Sequence, residues 1–349
     1  MRACADFDGL NFERGDFEGS DFGCRDFTDF AIASILRYAA RVRRTEPSLK
    51  RTERRLKNRR PTIAIVGAGS LAQSLTPALR GAGYTITEII LRAQAGRESL
   101  RRGRTLARRV GARAVTVENA ALDASVVWLC VPDRQIRAVA AALAERVPWS
   151  ATRRGSSRLQ FAFHSSGALL CDELAPLRKA GVAIASVHPL MTFVAGARAA
   201  LAGVPFAVEG DAAATRIAGR VVRELGGESF ILPASRKAAY HAWATMTSPL
   251  LVAYLGTLEE AARGAGLARE EARRLSLPIV LQTLGNYGRL GPANSFSGPF
   301  VRGDAQTVAK HLALLGSNPD VHAVYVALAR AALKRLPVKN RAEIQRLLE

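Results

Sequence analysis

Apolar positions follow two alternating periods along most of this chain. Short apolar runs, typical of buried strands, alternate with segments in which an apolar residue recurs every three or four positions, typical of amphipathic helices. From residue 61 onward this alternation predicts an α/β domain built on a parallel sheet. The predicted strands are 62–66, 85–91, 114–117, 125–131, 159–164, 182–187, 204–208 and 229–232.

The strand signals end after Pro233. Helical patterns then cover 234–264, 269–287, 304–315 and 319–335, which predicts an all-α region. The chain has 349 residues, and a single hydrophobic core stops growing near about 250–300 residues, so two domains fit this length. We predict an α/β domain over 61–232 and an all-α domain over 233–349.

The first predicted strand leads into a glycine-rich turn and a helix, in the stretch TIAIVGAGSLA at 62–72. Gly67 allows the tight turn, Gly69 lets the backbone approach a pyrophosphate, and the small Ala72 lets the helix pack on the strand. This pattern predicts a Rossmann-type doubly wound sheet that binds a dinucleotide; glycines that serve packing alone are the alternative. The predicted contacts are Gly67, Ala68, Gly69, Ser70, Leu71 and Ala72.

The end of the second predicted strand indicates which dinucleotide binds. NAD-binding sites place an acidic side chain there to bind the ribose hydroxyl, whereas a guanidinium pairs with a 2′-phosphate. This chain has Arg92 at that point and no acid. The sequence therefore favours NADP(H), with a solvated surface arginine as the alternative.

Three further loops follow predicted strands, where ligands bind in open α/β sheets. They read VWLCVPD at 127–133, FHSSGAL at 163–169 and SVHPLMTF at 186–193. Serine hydroxyls and a glycine suit a nicotinamide or ribose edge, whereas a histidine after a strand either contacts a ligand or is structural. The predicted cofactor contacts in these loops are Val131, Pro132, Ser165 and Gly167, and the predicted substrate contacts are Ser166 and His188.

The first sixty residues differ in composition from the rest. Residues 1–30 carry eight acids against three arginines, and residues 31–60 carry eleven basic residues against two acids. The first segment resembles the pentapeptide-repeat family, but so few units cannot bury a core, so we predict a degenerate remnant or an acidic tail. The second segment is predicted to be a basic linker, with contact to nucleic acid or a membrane surface through 37–60 as the alternative. The repeated phenylalanines are Phe7, Phe12, Phe17, Phe22 and Phe27.

The whole chain is basic, with 50 Lys and Arg residues against 30 Asp and Glu residues. Only seven are lysines and the arginines are spread along the sequence, which indicates a compositional bias, so we do not expect nucleic acid as a partner. The four cysteines have no C-x-x-C spacing, which argues against a disulfide framework or a zinc site. No apolar run reaches the about 20 residues of a membrane span. We expect a cytoplasmic protein without a metal.

Four motifs, in this order, resemble those of a Rossmann-like oxidoreductase family. They are HSSGAL at 164–169, SVHPLMTF at 186–193, YHAWAT at 240–245 and GPFVRGDAQTVAKHL at 298–312. The C-terminal part of that family is a domain of unknown function, DUF2520, and the family is related to ketopantoate reductase, pyrroline-5-carboxylate reductase and 6-phosphogluconate dehydrogenase. The resemblance implies an NADP-binding domain followed by a helical domain that forms homodimers. One branch of the family is thought to reduce ketopantoate.

The chain departs from this family at Thr247, Ser248 and Pro249, where relatives usually carry Ser-Asn. The missing amide removes one polar contact that the resemblance would imply. Pro249 is expected to kink the helix.

The resemblance also implies a catalytic lysine near the start of the long helix that follows the sheet, with a polar partner four residues later. Lys237 and His241 have that spacing, which puts both on one helical face. An ammonium group would stabilise the negative charge that hydride transfer leaves on a ketone oxygen, and it could supply the proton. A surface lysine at a helix start is the alternative.

The motif at 298–312 contributes a second group of candidates. Asp304 is a natural N-cap for the helix that contains His311, so a structural role is sufficient to explain Asp304. Arg302 has no such explanation and could bind a substrate carboxylate through its two guanidinium nitrogens. His311 is equally open to packing or to substrate binding.

Together these observations predict an NADPH-dependent reductase of a small carboxylate-bearing ketone or imine, with ketopantoate as one possible substrate. The predicted partners are a small anionic substrate and a second copy of the chain, bound through the C-terminal helices. The alternatives are a catalytically inactive NADP-binding or regulatory protein and a nucleic-acid-binding protein.

Overall fold

The structure is a computed structural model that describes residues 60–349 apart from 93, 95, 148–158, 195 and 197–198. The predicted acidic segment at 1–30 lies outside the described residues. So does the predicted basic linker at 31–60, with the exception of Arg60.

Eight strands form one sheet in the order β3-β2-β1-β4-β5-β6-β7-β8. The strands β1 to β6 pair in parallel, which confirms the predicted Rossmann-type α/β fold. The strands are β1 Ile63–Val66, β2 Ile86–Leu91, β3 Arg113–Thr116, β4 Val126–Leu129, β5 Phe161–His164, β6 Ala183–Pro189, β7 Pro205–Gly210 and β8 Glu228–Ile231.

Helices connect the parallel strands and make up the C-terminal region, as predicted. Within the described ranges, none of them has the length and apolar composition needed to cross a membrane. The helices are α1 Ser70–Gly81, α2 Arg97–Val110, α3 Ile136–Ala144, α4 Ala175–Lys179, α5 Ala212–Glu224, α6 Lys237–Thr247, α7 Pro249–Arg263, α8 Arg269–Ser295, α9 Pro299–Arg302, α10 Ala305–Leu315, α11 Pro319–Arg335 and α12 Arg341–Leu347.

The sheet departs from the prediction of parallel strands at β7, which runs antiparallel to β6. A parallel neighbour needs a crossover connection, usually a helix, to carry the chain back across the sheet. The connection between Leu190 and Val204 contains no helix among its described residues, so β7 returns alongside β6 in the opposite direction. This pairing sets Ser186 opposite Glu209.

The central strands are apolar on both faces because helices cover both faces of the sheet. In β1, Ile63 and Ile65 belong to one core cluster, whereas Ala64 and Val66 belong to the cluster on the opposite face. All four side chains are buried. The strand therefore reads as a continuous apolar run rather than an alternating one.

The predicted helix over 234–264 is divided at Pro249, as the sequence leads one to expect. α6 ends at Thr247, Ser248 leaves the helical region with φ −128° and ψ −73°, and α7 begins at Pro249. Proline has no N–H to donate and its ring clashes with the preceding turn, which ends a helix before it.

The residues divide into two compact units, one that extends to Gly256 and one that contains Thr257–Glu349. The first unit holds the sheet and α6, so the predicted boundary at 232 marks the change from strands to helices, and as a domain boundary it stays a prediction. The second unit has its own small core, which includes Val308 and Ile344.

One charged side chain, Glu88, is buried in β2 of the first unit. It accepts hydrogen bonds from Arg113 and from the backbone N–H groups of Ala121 and Leu122. Leu122 has a φ of +51°, which is unusual for a leucine. Glu88 thus supplies hydrogen-bond acceptors for the backbone of the loop that leads from the edge strand β3 into β4.

Candidate functional site

The candidate site lies at one edge of the sheet. Because β1, β4, β5 and β6 pair in parallel, their carboxyl ends share an edge, and the loops that follow them share it too. These loops contain the glycine turn, residues 130–133 and residues 165–169, and β6 brings His188 to the same edge. Most of the candidate residues of the first unit therefore lie along this edge, where open α/β sheets bind their ligands, and we refer to it as the crevice.

The turn after β1 requires glycine at position 67. Gly67 has a φ of +103°, and a Cβ there would lie 2.6 Å from the carbonyl oxygen of Cys130 and 3.2 Å from Val131 Cγ1. Its N–H donates to the carbonyl of Ile90 at 2.9 Å. The turn is thus packed between the ends of β2 and β4, which leaves no space for a side chain.

Gly69 is the N-cap of α1 and has different surroundings. Its φ of −73° suits any residue, and a Cβ built on it meets nothing within 4 Å. No side chain caps α1, and its first turn contains no acid. The N-terminal N–H groups of α1 therefore have no side-chain cap and carry the positive end of the helix dipole, and Ala72 packs the helix on the sheet with no exposed surface.

These features fit the pyrophosphate of a dinucleotide. Packing against residues 130–131 excludes a side chain at Gly67, whereas the space beside Gly69 is open and could hold a ligand. Of the other predicted contacts in this turn, Ala68 is buried, and Ser70 and Leu71 are half-buried.

Arg92 follows β2 directly and its side chain is exposed. In the part of the chain that the structure describes, it forms no ion pair. By contrast, Arg101 and Arg102 at the start of α2 both pair with Glu98. Arg92 is thus an exposed cation at the end of β2, and its contact with a ligand phosphate stays a prediction.

The loop after β5 is held by its serines. Trp128 donates its indole N–H to Ser165 Oγ at 2.9 Å. Ser166 Oγ donates to Asp133 at 2.7 Å and accepts from the N–H groups of Ala168 and Leu169. These hydrogen bonds show that the Ser166 hydroxyl stabilises the loop. Its predicted contact with the substrate stays a prediction.

His164 is buried at the end of β5 and supports the same loop. Its Nδ1 accepts from the N–H of Ser166 at 3.1 Å, so Nε2 carries the proton and donates to the carbonyl of Leu170 at 2.9 Å. Burial lowers the pKa of His164 to about 4, with a smaller contribution from the nearby Lys237 ammonium. His164 is therefore neutral near pH 7 and acts as a structural histidine.

His188 and His241 converge on Gly167. A Cβ at Gly167 would lie 2.7 Å from His188 Nε2 and 2.8 Å from His241 Cδ2, so only glycine lets both rings approach. His188 Nδ1 lies 2.8 Å from the hydroxyl of Tyr240. Burial lowers the pKa of His188 to about 4, so this ring is neutral near pH 7. Both imidazoles are half-buried.

Lys237 begins α6 and lies beneath this group, with 3% of its side chain exposed. Its ammonium group donates to Ser186 Oγ, and to Glu209 Oε2 at 3.3 Å. Burial lowers the pKa of Lys237, and Glu209 opposes that shift. The structure thus places the predicted catalytic lysine below the crevice surface, one helical turn from His241.

Sequence reasoning missed three side chains that complete this arrangement: Glu209, Ser186 and Tyr240. A glutamate within the apolar strand PFAVEG at 205–210 was the available signal, because a charge in a buried strand needs a partner. Its partner could not be recognised, because Lys237 is distant in sequence and reaches Glu209 only after β7 has paired with β6.

The other predicted site residues have different surroundings. Val131 is half-buried and Pro132 exposed beside the glycine turn. Arg302, exposed on α9, and His311, whose Nδ1 lies 3.0 Å from the hydroxyl of Tyr325, belong to the second unit. Their roles in substrate binding stay predictions. Among the described residues, no group of His, Cys, Asp and Glu side chains is arranged to hold a metal ion.

Comparisons with known proteins identify two domains. Residues 46–189 match the Rossmann-like domain, and residues 204–332 match a domain of unknown function, DUF2520. The chain therefore carries a Rossmann-like domain followed by DUF2520, as the motifs lead one to expect. A search of the curated proteins gave no match.

Solved structures share this fold. One is a protein from Bacteroides fragilis assigned as an NADP oxidoreductase, with 20% identity, 79% of this chain and 98% of that chain covered, and a TM-score of 0.62. Another is a protein from Thermotoga maritima, with 24% identity, 82% and 98% covered, and a TM-score of 0.59. A third is an imine reductase from Myxococcus stipitatus in complex with NADP+, with 16% identity, 83% and 100% covered, and a TM-score of 0.53.

The two histidines with lowered pKa values give a prediction for NMR. Among the five histidines, His164 and His188 should titrate near pH 4 rather than near the ordinary value of 6.5. Because the unfolded chain then binds more protons between about pH 4 and pH 6.5, the free energy of unfolding should fall as the pH falls through this range. Side-chain NMR with His164→Gln and His188→Gln for assignment would measure both values. Titration of either ring near pH 6.5 would contradict the neutral assignment.

Proposed function

We propose that this chain, in which a Rossmann-like domain precedes DUF2520, is an NADPH-dependent reductase of a small ketone or imine that carries a carboxylate. One observation carries the proposal. The same edge of the sheet brings the uncapped N-terminus of α1 together with a cluster formed by His188, His241 and Lys237. This arrangement supports a dinucleotide site beside groups that can transfer a proton.

NADP(H) is the dinucleotide that the chain favours. The space at Gly69 and the free N–H groups of α1 suit the pyrophosphate, and the exposed Arg92 suits a 2′-phosphate. The bound NADP+ in the structurally similar imine reductase supports the same choice.

The residues of the crevice provide the charge and the proton that such a reduction needs. NADPH, when bound, supplies a hydride to the substrate carbon, which leaves negative charge on the carbonyl oxygen or imine nitrogen. The Lys237 ammonium stabilises that charge from below and is the proton source that we favour. His241 and His188 flank Gly167 at the crevice surface and orient the reacting group.

We base the substrate class on Arg302, which is exposed on α9. Arg302 would bind a carboxylate by its guanidinium fork, with His311 as a second contact. Ser166 would contact the substrate only after giving up its bond to Asp133. Ketopantoate is one member of this class.

Cys130 and Cys171 are free and buried, which is compatible with a cytoplasmic enzyme.

We also propose a homodimer through the C-terminal helices. Of the 27 residues of α8, only Ala272 is buried. Large apolar side chains are nevertheless exposed along this helix, which marks an interaction surface. They include Leu275, Leu277, Ile279, Leu284, Tyr287 and Leu290.

Gly69 gives the sharpest test of the dinucleotide site. Gly69→Ala adds one methyl group to space that is open in the protein, so the fold should be unchanged, while the methyl should weaken NADPH binding tenfold or more, about 1.4 kcal/mol. Calorimetric titration would measure the affinity. Gly81→Ala, at the opposite end of α1 and also in open space, is the matched control. Equal NADPH affinity in both variants would refute this site.

Arg92 tests the choice between NADPH and NADH. Arg92→Ala should weaken NADPH binding by about 1.5–3 kcal/mol, roughly tenfold to a hundredfold, because it removes a charge-assisted phosphate contact. NADH binding should change little. Arg109→Ala, another exposed arginine at the far end of α2, controls for net charge. The same loss for NADH, or none for NADPH, would show that Arg92 does not bind the 2′-phosphate.

Turnover tests the reaction itself. A screen of 2-oxo acids and cyclic imines, followed by NADPH absorbance, should identify a substrate. Lys237→Ala should then lower kcat by roughly 10²–10⁴ and leave NADPH affinity nearly unchanged, whereas Arg302→Ala should raise KM. His241→Ala should have a smaller effect than Lys237→Ala. Turnover of Lys237→Ala at the rate of the unmodified protein would remove the lysine from the mechanism.

The molecular mass in solution tests the dimer. The unmodified protein should elute at twice its chain mass, and Ile279→Asp should shift it towards the monomer, because a charge in an apolar interface loses its hydration. Ile231→Asp, an equally exposed isoleucine on β8, should leave the mass unchanged. A monomeric unmodified protein would refute the proposed interface.

A further inference from the structure

Glu209 and Ser186 lie opposite each other on the antiparallel pair formed by β6 and β7. Directly opposed residues share one face of a sheet, so both side chains point towards the start of α6. Lys237 reaches both of them with its ammonium group. The side chains of Lys237 and Glu209 are 3% and 9% exposed, so water contributes little to this contact.

Glu209 Oε2 is held in place from a second direction. It accepts the backbone N–H of Cys171 at 3.0 Å, in the short 3-10 helix Cys171–Leu174 that follows the loop after β5. The same oxygen is the one that accepts from Lys237. The ammonium is thus tied through Glu209 to the backbone next to the 165–169 loop.

Few other groups near Lys237 can compensate its charge. The positive end of the α6 dipole opposes an ammonium at the first residue of that helix. His164 and His188 are neutral near pH 7, because burial lowers their pKa values to about 4. Burial raises the pKa of Cys171 to about 12, so the thiol carries no charge there either. Ser186, Tyr240 and His241 complete the surroundings without a negative charge near pH 7.

Among the described residues, two carboxylates attract the Lys237 ammonium, those of Glu209 and Asp133. Asp133 accepts a hydrogen bond from Ser166 Oγ, and its attraction for Lys237 is weaker than that of Glu209. Glu209 is in direct contact with the ammonium. It is therefore the principal counter-charge that opposes the effect of burial on Lys237.

We propose that Glu209 is a positioning residue for the reductase: it holds Lys237 at one point below the crevice and keeps it protonated over the pH range in which the enzyme turns over. The proposal rests on the proposed function, in which Lys237 stabilises developing negative charge. An unprotonated amine could neither stabilise that charge nor supply a proton, so the pH at which Lys237 loses its proton sets the alkaline limit of turnover.

Glu209→Gln tests this assignment, because it keeps the shape of the side chain and removes the charge. The pKa of Lys237 should fall, and the alkaline limb of the kcat profile should move to lower pH, both by about 1–3 pH units. NADPH affinity should stay unchanged. NMR of the lysine Nζ and Cε signals, among only seven lysines, measures the pKa directly and needs no substrate. The Lys237→Met variant assigns the signal.

Glu88→Gln is the matched control. Glu88 is likewise a buried strand glutamate that accepts from one cation and from backbone N–H groups. Its variant should lose stability without moving the Lys237 pKa or the alkaline limb. Equal effects of Glu209→Gln and Glu88→Gln on the profile would mean that Glu209 is only structural, and would overturn the proposal.

Glu209→Asp covers the case in which the glutamine variant does not fold. It keeps the charge but shortens the reach, so it should give an intermediate Lys237 pKa and restore part of the alkaline activity. An unchanged Lys237 pKa in every folded Glu209 variant would overturn the proposal while the reductase function stood. The unmodified protein could reduce no substrate while the pKa of Lys237 still fell in Glu209→Gln. That outcome would refute the reductase function and leave the effect of Glu209 on Lys237 in place.

Discussion

A buried lysine keeps its proton more readily when a carboxylate is in contact with it, and the ion pair between Lys237 and Glu209 provides that contact here. Removing one partner of a buried pair costs about 3–5 kcal/mol, because the other charge is left unpaired in a medium of low polarity. The pair therefore constrains whatever brings its two members together. The antiparallel pairing of β7 with β6 sets Glu209 opposite Ser186, and the start of α6 brings Lys237 into contact with both.

The same ion pair connects the sheet to the crevice. Glu209 accepts a hydrogen bond from the backbone of Cys171, and the carbonyl of Ser166 accepts one from Ser186. His164 and Asp133 fix the Ser166 loop from its other side. Because the loop is held at several points, Gly167 can be placed against two imidazole rings with no room for a methyl group. The crevice therefore has a polar floor whose side chains are hydrogen-bonded to one another and to the backbone.

The dinucleotide end of the crevice follows a different rule. At Gly67 the structure leaves no space, and at Gly69 it leaves space that the protein itself does not fill. A tight turn and an open helix N-terminus are what a pyrophosphate needs, and both come from residues that are adjacent in sequence. Local chemistry is sufficient there, whereas the polar floor depends on strands and helices that are far apart along the chain.

The division between what the sequence determines and what only folding decides follows this contrast. The eight strands, the glycine turn and the helix break at Pro249 could be predicted, because each depends on periodicity or on the backbone of adjacent residues. The direction of β7 could not, because the connection at 190–204 has no pattern that sets its path. The short helix α12 was not predicted either. Lys237 and His241 could be paired by helical spacing, but the burial of Lys237 and its contact with Glu209 depend on how β7 pairs with β6. The candidate residues could be named from the sequence. Their counter-charge, their protonation and their exposure were decided by the tertiary structure, because side chains that meet through strand pairing leave no periodic signal in the sequence.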